Sequence, residues 1–564
     1  MQLDLRQVPF SRYDSYVALS VRPSEQRPDG ELFIRNLRGY PGRREVFAVR
    51  LLADGRDVPL DVTASGSVLR LTCDAGWVEM CLPEPACLRI RGEGVTLRLA
   101  LEVESSDNAI PYGRGRWLVN VRSALTKYLL TPLAGTLSVD APWREKRCLH
   151  VTADFSPDAD GRLEAAMDEC HLAVRSADHA APFDDTAAGV RQQFDAWRGP
   201  LPQVPPELEG PGELAAYVLW SAVVPPGGFL PRRGILMSKN HMNRVYSWDY
   251  LFNAMSLAAA DPQLAWDQVM LMFDIQSDAG HFPDFVSDQH WQWNYVKPPI
   301  QGWALRWMMR RADWVDAERL RQAYGPLAKW TEWWFAYRDS DGDGLPQYDH
   351  GNDSGWDNAT CFALRPPIEG PDLAAYLTVQ MDVLAEIAGK LGRDDEAARW
   401  SRRADELVGK LLEHSWNGES FVAPQSGTHE TAGEGDTLLA FLPLVLAERL
   451  PQDIRRKLVD GLKEPGRFLT EDGLATESPQ SPLYEANGYW RGPVWAPSTM
   501  VLVDSLVAVG EEDFAREVAR RFCLTCAGAG MAENFDALTG AGLRDRAYTW
   551  TAAVFLILAA EYLQ

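Results

Sequence analysis

Residues 394–415 read Asp-Asp-Glu-Ala-Ala-Arg-Trp-Ser-Arg-Arg-Ala-Asp-Glu-Leu-Val-Gly-Lys-Leu-Leu-Glu-His-Ser. Apolar side chains recur there every three or four residues, so they share one helical face while charged residues take the other: Ala397, Trp400, Ala404, Leu407 and Leu411. This spacing predicts an amphipathic helix packed against a core. Because similar patterns lie on both sides of it, the stretch decides the fold class of this part of the chain.

Helical periodicity continues from residue 211 to the C-terminus. Short connections at 261–262, 392–393, 451 and 511 alternate with loops of roughly twenty to thirty residues. Short turns at one end and long loops at the other predict a closed ring of six helix pairs with the long loops at one mouth. Twelve segments are predicted helices: 213–224, 247–260, 263–277, 300–312, 315–338, 371–391, 394–415, 434–449, 452–463, 494–510, 512–526 and 547–562.

The first 190 residues have a different pattern. Apolar and polar residues alternate in short runs such as 31–37, 68–73 and 95–103, separated by turn residues. This period of two predicts antiparallel strands in a β-sandwich. A segment rich in proline and glycine follows residue 198 and predicts a stiff linker. We therefore expect a multidomain β + α chain, with a β-sandwich over 1–190, a linker over 191–210 and a helical domain over 211–564.

Composition narrows the class of protein. The 564 residues are 46% hydrophobic and 24% charged, with a formal net charge of −23. That charge argues against nucleic acid and anionic membranes as partners, and no run of about 18 apolar residues predicts a membrane span. The N-terminus does not resemble a signal peptide, so we expect a cytoplasmic protein. Eight cysteines are too few for a disulfide framework, and Cys523 and Cys526 are expected to be buried thiols.

The long loop 339–357 reads Asp-Ser-Asp-Gly-Asp-Gly-Leu-Pro-Gln-Tyr-Asp-His-Gly-Asn-Asp-Ser-Gly-Trp-Asp. So many carboxylates in a segment of low helix and strand propensity indicate a ligand or a hydrogen-bond network. Asp357 follows the flat ring of Trp356, a combination that suits a sugar, and the chain has 21 tryptophans. We expect this loop to share the mouth of the ring with the other long loops.

Two carboxyl groups in these loops fit glycoside hydrolysis, which needs one protonated acid and one ionised carboxylate. Asp357 suits the acid, because an apolar Trp356 and a nearby Asp353 would both raise its pKa. Glu533 suits the base, since Asn534 beside it can orient a water or a hydroxyl. No catalytic metal is predicted. Structural calcium is a minor hypothesis for Asp339, Asp341 and Asp343, because position twelve of that calcium-like loop is His350 rather than Glu.

Several motifs occur in order over about 300 residues: Trp248-Asp249, Gln276 with Gly280 and Pro283, Pro298-Pro299, Ser354-Gly355-Trp356-Asp357-Asn358, Pro371-Asp372-Leu373, Tyr489-Trp490-Arg491-Gly492-Pro493-Val494-Trp495 and Glu533-Asn534-Phe535. Together they resemble glycoside hydrolase family 63 and its trehalase-like relatives. The resemblance implies an (α/α)6 barrel, inversion at the anomeric carbon, Asp357 as general acid and Glu533 as general base. The substrate-binding residues that we predict on this basis are Trp248, Asp249, Phe252, Gln301, Trp356, Asp372, Trp490, Arg491 and Trp495.

The function expected from the sequence is inverting, exo-acting hydrolysis of the α-glucosidic bond of a small neutral glucoside or oligosaccharide, with Trp291 and Trp293 as candidate contacts. The alternative is an α-mannoside, glucosylglycerate or mannosylglycerate, whose acidic aglycone would need a cation such as Arg365, Lys297 or Arg244. Two rivals belong to other classes. One is a sugar epimerase, for which His281, His290 and His350 lack a partnered motif, and the other is a non-catalytic sugar-binding protein.

Overall fold

The computed structural model describes residues 1–24, 27–39 and 44–563. The N-terminal region is rich in antiparallel strands, as the alternating pattern predicts. The strands are β1 Val17–Arg22, β2 Glu31–Asn36, β3 Glu45–Ala53, β4 Arg56–Val58, β5 Asp61–Ala64, β6 Leu69–Cys73, β7 Gly76–Glu84, β8 Cys87–Glu93, β9 Thr96–Leu101, β10 Asn108–Pro111, β11 Trp117–Val121, β12 Thr126–Ala134, β13 Thr136–Asp140, β14 Trp143–Arg144, β15 Arg147–Cys148, β16 Val151–Ser156 and β17 Arg162–Cys170.

Most of these strands form two sheets. One has the order β1-β2-β3-β9-β16-β13 with β4 paired to β3, and the other has the order β10-β11-β12-β17-β8-β7-β6-β5. Phe47 on β3 and Tyr128 on β12 meet edge to face with ring centroids 5.4 Å apart, so side chains of the two sheets share one core. Alternate residues of β9 point into that core, because side chains along a strand alternate between its two faces.

The C-terminal region is helical. The helices are α1 Phe183–Arg198, α2 Glu209–Ala222, α3 Asp249–Leu257, α4 Pro262–Asp274, α5 Gln301–Met309, α6 Ala317–Tyr337, α7 Pro371–Lys390, α8 Asp394–Ser415, α9 Gln452–Lys463, α10 Ala496–Ala508, α11 Glu512–Ala529 and α12 Thr549–Tyr562. A 3₁₀ segment, Leu438–Arg449, lies between α8 and α9. Within the described residues, no helix is both long and apolar enough to cross a membrane.

Six of these elements pack side by side in a closed circuit. Going round it, α3 contacts α5, α5 contacts α7, α7 contacts the 3₁₀ segment, that segment contacts α10, α10 contacts α12, and α12 returns to α3. The other helices pack outside: α2, α4, α6, α8, α9 and α11. The circuit helices are enclosed on all sides, as α12 shows, with nearly every residue from Thr549 to Ala559 buried. An outer helix such as α8 has a charged face in solvent.

The structure differs from the expected segments at two places. Residues 183–198 form α1, which packs on β7, β8 and α2 through Phe183, Ala187, Val190 and Phe194, so helix occupies much of the expected linker 191–210. The expected helix 434–449 begins at Leu438 and is 3₁₀. Pro443 lies inside it and cannot donate a backbone hydrogen bond, and Ala447 has a φ of 48°.

Candidate active site

The first turns of the circuit helices carry most of the residues that the sequence singled out. Trp248 precedes α3 and Asp249 begins it, Gln301 begins α5, and Asp372 is the second residue of α7. Trp495 immediately precedes α10. In each case a long loop runs from an outer helix to the N-terminal end of an inner one, so the expected mouth lies at the N-terminal ends of the inner helices.

A small, partly open cavity lies among these helix ends and loops. Four of the predicted site residues line it, namely Trp248, Asp249, Asp357 and Trp490. The remaining lining comes from Met242, Tyr246, Lys297, Asn352, Gly355, Tyr489, Tyr548 and Trp550.

The loop that carries Asp357 lies tightly against the aromatic wall of the cavity. Gly355 has a φ of 72°, and a Cβ at that position would come within 2.6 Å of the Trp248 ring. A Cβ on Gly351 would come within 1.9 Å of the Asp357 carbonyl oxygen. Only glycine allows these two close approaches, which bring the carboxyl group of Asp357 to the cavity.

Asp357 is a carboxyl group in a site that favours its neutral form. Burial raises its pKa, the Lys297 ammonium opposes that rise, and the Asp284 carboxylate adds to it. The sequence predicted a raised pKa but named Asp353 as the charged neighbour. Asp353 instead accepts a 3.0 Å hydrogen bond from Arg338 and a 3.1 Å hydrogen bond from the Val296 amide, and it is Asp284 that faces Asp357.

Lys297 is the buried cation of the cavity. Its ammonium group lies 2.9 Å from Asp284 Oδ1 and donates a 2.8 Å hydrogen bond to the Asn352 carbonyl oxygen. Burial alone would lower its pKa, but Asp284, Asp357 and Asp249 outweigh that effect and raise it. Lys297 therefore stays charged and offsets part of the negative charge of three carboxyl groups.

Asp249 lines the same cavity and is 2% exposed. Burial raises its pKa to about 7, while Lys297 and a hydrogen bond from Tyr548 oppose the rise. The Tyr548 hydroxyl lies 3.3 Å from Asp249 Oδ1. Asp249 is the first residue of α3, but its side chain points to the cavity and makes no N-cap hydrogen bond.

Glu533 lies behind the tyrosines of the cavity wall. Its charge acts on Tyr489 and Tyr548, and its carbonyl oxygen accepts a 3.2 Å hydrogen bond from the Trp550 indole. Burial raises its pKa from an ordinary value of 4.5 to about 8, with a further contribution from Asp545. Tyr489 is close enough to both Asp357 and Glu533 for both charges to raise its pKa, so the two predicted catalytic carboxyl groups share this neighbour.

The raised pKa of Glu533 predicts a pH-dependent difference in thermal stability. The folded chain binds this proton more tightly than the unfolded chain does, so its stabilising effect is complete below about pH 4.5 and is lost as the pH rises to about 8. Glu533→Gln keeps a neutral side chain at every pH. We expect wild type and variant to melt alike near pH 4.5, and the variant to melt higher by several degrees near pH 8.

Differential scanning calorimetry across this pH range measures that difference. Glu448→Gln is a matched control, because Glu448 is exposed on the 3₁₀ segment, and its melting difference from wild type is expected to be independent of pH. A gap between wild type and Glu533→Gln that stays constant from about pH 4.5 to 8 would contradict the assigned environment of Glu533.

Aromatic rings form the floor of the cavity. The Trp490 and Trp495 rings stack with centroids 4.0 Å apart, and Trp356 lies 4.7 Å from Trp490 on the same cluster. The Trp495 indole donates a 2.8 Å hydrogen bond to the Tyr489 carbonyl oxygen, which helps to hold Tyr489 at a φ of 66°. Trp356 and Trp495 therefore support the lining residues from behind.

The other predicted binding residues do not line the cavity. Phe252 is buried between Trp248 and Trp303. Gln301 accepts a hydrogen bond from the Trp330 indole and donates one to the Ser247 carbonyl oxygen, each 3.0 Å long, so it holds the residue before Trp248.

Asp372 and Arg491 also lie away from the cavity lining. The Asp372 carboxylate accepts a 2.8 Å hydrogen bond from the Tyr348 hydroxyl, and burial raises its pKa to about 7. The Arg491 guanidinium lies 3.0 Å from Glu485 and donates to the Leu483 carbonyl oxygen. The structure thus gives these two side chains partners within the protein.

Lys297 was named only as a candidate cation, and seven lining residues were not named as site residues from the sequence: Met242, Tyr246, Asn352, Gly355, Tyr489, Tyr548 and Trp550. Asn352 lies inside the quoted loop 339–357, where the aspartates drew attention instead. Tyr548 and Trp550 occupy the start of α12, the same position relative to an inner helix that Trp248 and Asp249 occupy on α3. Their place at the start of an inner helix was the sequence feature that could have identified Tyr548 and Trp550 as lining residues.

The fold has solved counterparts. Over 100% of this chain and 94% of the other, it superimposes on a bacterial glucoamylase complexed with acarbose, with a TM-score of 0.63 and 11% identity. A glycoside hydrolase family 63 mannosylglycerate hydrolase from Thermus thermophilus, solved with glucose, covers 61% of this chain and 99% of its own length at a TM-score of 0.53 and 21% identity. At these identities the likeness concerns the fold alone.

Sequence relatives give the class of protein. A mannosylglycerate hydrolase of Rubrobacter radiotolerans is 24% identical over 406 residues, which cover 56% of this chain and 90% of the relative. A glucosylglycerate hydrolase of Mycolicibacterium hassiacum is 31% identical over 126 residues, covering 22% of this chain and 28% of the relative. The protein is a glycoside hydrolase.

A match to a family model narrows the assignment within the glycoside hydrolases. The model of the mannosylglycerate hydrolase MGH1-like glycoside hydrolase domain matches residues 242–551, more than half of the chain. The chain belongs to this family. The match covers every residue that lines the cavity. It also supports a family like glycoside hydrolase family 63, which the sequence motifs resemble.

Proposed function

We propose that this protein is an inverting, exo-acting hydrolase of α-linked glycosyl glycerates, built as an (α/α)6 barrel behind a β-sandwich. Asp357 is the general acid and Glu533 the general base. The observation that carries the proposal is the small cavity in which Asp357, Asp249 and Lys297 meet an aromatic floor. The relatives named for mannosylglycerate and glucosylglycerate support the acidic aglycone over the neutral glucoside that the sequence first favoured.

Asp357 and Glu533 have different roles in the proposed hydrolysis. Asp357, whose pKa is raised by burial, gives its proton to the glycosidic oxygen as the bond to the anomeric carbon breaks. A water on the opposite face attacks that carbon, and ionised Glu533 takes the proton that the water loses. The sugar leaves with inverted configuration and glycerate leaves as the alcohol. Lys297 limits how far the pKa of Asp357 rises, so the proton remains transferable.

An acidic aglycone needs a cation beside the cavity, and Arg244 is the best placed of the three candidates. Its guanidinium lies over the rings of Phe285 at 4.5 Å and Tyr246 at 5.3 Å, and it reaches the Met242 sulfur at 3.8 Å. Arg244 does not itself line the cavity, but Tyr246 and Met242, which it contacts, both do. A guanidinium beside the cavity suits a carboxylate, which it can bind through two parallel hydrogen bonds.

The other two candidate cations suit this role less well. Lys297 is bound to Asp284 and the Asn352 carbonyl oxygen and serves the catalytic carboxyls. Arg365 is exposed and does not line the cavity.

The features required by the alternative functions lie elsewhere. Trp291 is 36% exposed and stacks on Phe229, and Trp293 contacts Trp291 and His281, so neither candidate for a neutral oligosaccharide lines the cavity. Among the described lining residues there is no histidine, which an epimerase would need. His281 instead stacks on Trp333, and burial lowers its pKa to about 4.

A substrate panel tests the proposed aglycone. We expect kcat/KM for α-mannosylglycerate or α-glucosylglycerate to exceed that for neutral α-linked disaccharides of the same sugars by about a hundredfold or more, because a neutral aglycone has no carboxylate to offer the Arg244 guanidinium. Release of sugar measured by a coupled assay gives the comparison. Preference for the disaccharides would overturn the acidic aglycone and leave glycoside hydrolysis intact.

Arg244→Gln removes the proposed carboxylate partner. We expect KM for the glycosyl glycerate to rise about tenfold to a hundredfold, which corresponds to the loss of a charged hydrogen bond, while kcat changes little. Hydrolysis of a methyl α-glycoside, which has no carboxylate, should change by less than about twofold. Arg365→Gln is the control and should behave as wild type on both substrates. Equal effects of Arg244→Gln on both substrates would contradict the role of Arg244.

A further inference from the structure

Four potential metal ligands meet about the outer helix α8, away from the cavity lining. Asp343 comes from the loop after α6, Glu369 lies two residues before α7, His414 is in the last turn of α8, and His429 is in the loop that follows. One ligand atom from each lies within 4.8 Å of every other. The four residues come from separate segments that the fold brings together.

Two of the donor-atom separations in the cluster are close to those around a tetrahedral ion. His414 Nδ1 lies 3.5 Å from Asp343 Oδ2, and His429 Nε2 lies 3.7 Å from the same oxygen. Ligands at about 2.0–2.1 Å from a tetrahedral zinc ion are about 3.3–3.4 Å apart. The observed separations need shifts of only a few tenths of an ångström to close on one ion.

The carboxylate at the base of the cluster has no adequate partner within the described residues. Glu369 is 2% exposed, and neither of its carboxylate oxygens has a hydrogen-bond partner with good geometry, although the Ser426 hydroxyl faces it. Asp343 Oδ2 is likewise buried without a hydrogen bond. Leaving a buried carboxylate unpaired is energetically unfavourable, and a bound cation removes that penalty.

The surrounding charge also favours a cation. Two further carboxylates, Asp343 and Asp341, act on Glu369. When protonated, His429 is a cationic neighbour of Glu369, but it is shared with Asp341, whose Oδ2 lies 3.2 Å from His429 Nε2. The Lys410 ammonium donates a hydrogen bond to the Asp343 carbonyl oxygen rather than to a carboxylate of the cluster. A divalent ion bound by Glu369 and Asp343 would balance the charge of those two carboxylates.

We propose that Asp343, Glu369, His414 and His429 bind one divalent ion of the late first transition series, for which zinc is the best match. Two imidazoles with two carboxylates are donors that zinc, cobalt and nickel prefer, whereas calcium takes oxygen ligands alone. The half-exposed His429 and the partly exposed His414 leave a path for the ion, and the buried Glu369 closes the other side.

This site differs from the calcium loop suggested by the sequence. Both carboxylate oxygens of Asp339 accept backbone hydrogen bonds, from Gly342 at 2.9 Å and Gly344 at 3.0 Å. His350, at the twelfth position of that loop, contacts the Tyr295 ring and accepts a hydrogen bond from the Asn352 amide. Of the three loop aspartates, only Asp343 is a ligand in the proposed set.

The proposed role of the ion is to fasten the segments that lead to the cavity. Asp343 belongs to the loop that ends at Asp357, and Glu369 lies just before α7. Ile368 already bridges to Tyr348 and Gln425 through backbone hydrogen bonds. An ion bound to Asp343 and Glu369 would link the same two loop segments through their side chains. Through His414 it would also link them to α8.

Metal analysis of the whole chain tests the proposal. Protein freed of metal with a chelator is titrated with Co²⁺, whose visible absorption reports tetrahedral coordination, and then with Zn²⁺. Bound zinc is counted by mass spectrometry after dialysis, and melting temperature is recorded with and without Zn²⁺ or Ca²⁺. The variants are Glu369→Gln, which keeps the size of the side chain, and His414→Ala with His429→Ala. The controls are Asp339→Asn and His150→Ala, neither of which alters a proposed ligand.

We expect about one zinc per chain in wild type and both controls, an intense cobalt band, and a melting temperature that zinc raises by several degrees. The ligand variants should retain less than about a tenth of the zinc and show no cobalt band. Zinc retention by the ligand variants equal to that of wild type, or no stoichiometric zinc in wild type, would overturn the site. Stabilisation by Ca²⁺ that Asp339→Asn abolishes, without zinc binding, would overturn it in favour of the aspartate loop.

Discussion

Replacing Asp357 with Asn is expected to lower kcat for a glycosyl glycerate by about two to four orders of magnitude, the usual effect of losing a general acid. An amide of the same size keeps the packing against the aromatic cluster but has no proton to give to the leaving oxygen. The KM is expected to change much less, because the side chain acts on the bond being broken rather than on binding.

Leaving-group dependence distinguishes loss of the acid from general damage. A 2,4-dinitrophenyl α-glycoside needs little protonation, so Asp357→Asn should hydrolyse it at a rate within about tenfold of wild type. Asp395→Asn is the matched control, because Asp395 is exposed in the first turn of α8. A loss of less than tenfold on the glycosyl glycerate, or an equal loss on both substrates, would contradict the role of Asp357.

Replacing Glu533 with Gln is expected to lower kcat by a similar two to four orders of magnitude, but with the opposite dependence on the leaving group. The base acts on water, so a better leaving group should not restore the rate. The wild-type rate should also rise with pH as Glu533 ionises, since burial holds its pKa near 8, and this rise should be absent in the variant.

An added nucleophile tests whether Glu533 or Asp249 is the general base. Azide needs no deprotonation, so it should accelerate Glu533→Gln with an activated α-glycoside and give the β-glycosyl azide. Asp249→Asn is the comparison, because Asp249 lines the cavity and has a pKa raised to about 7. Azide rescue of Asp249→Asn and not of Glu533→Gln would assign the base to Asp249.

The helical part of the fold was predictable because its signal is periodic. Eleven of the expected segments correspond to α-helices, and the alternation of short and long connections anticipated which helix ends share the mouth. The twelfth was misjudged, since the apolar run around Pro443 matches a helix in composition while proline disrupts its hydrogen bonds. Helix α1 was missed because nearby prolines suggested a linker, although Phe183, Ala187, Val190 and Phe194 follow helical spacing.

The cavity was predictable only in part, for a different physical reason. Trp248, Asp249, Asp357 and Trp490 lie in unusual local motifs, so local sequence identified them. The pairing of Lys297 with Asp284, and the presence of Asp284 rather than Asp353 beside Asp357, depend on contacts between distant segments. Arg491 and Asp372 lie in motifs as distinctive as the others. Their side chains nevertheless contact Glu485 and Tyr348 and do not line the cavity.

Proton NMR of the products formed by wild-type protein from α-mannosylglycerate and α-glucosylglycerate tests the central claim most directly. The account predicts that glycerate and the β-anomer of the sugar appear first, followed by slow mutarotation to the equilibrium mixture, because water attacks opposite the departing glycerate. Initial appearance of the α-anomer, or release of no sugar from either compound, would contradict it.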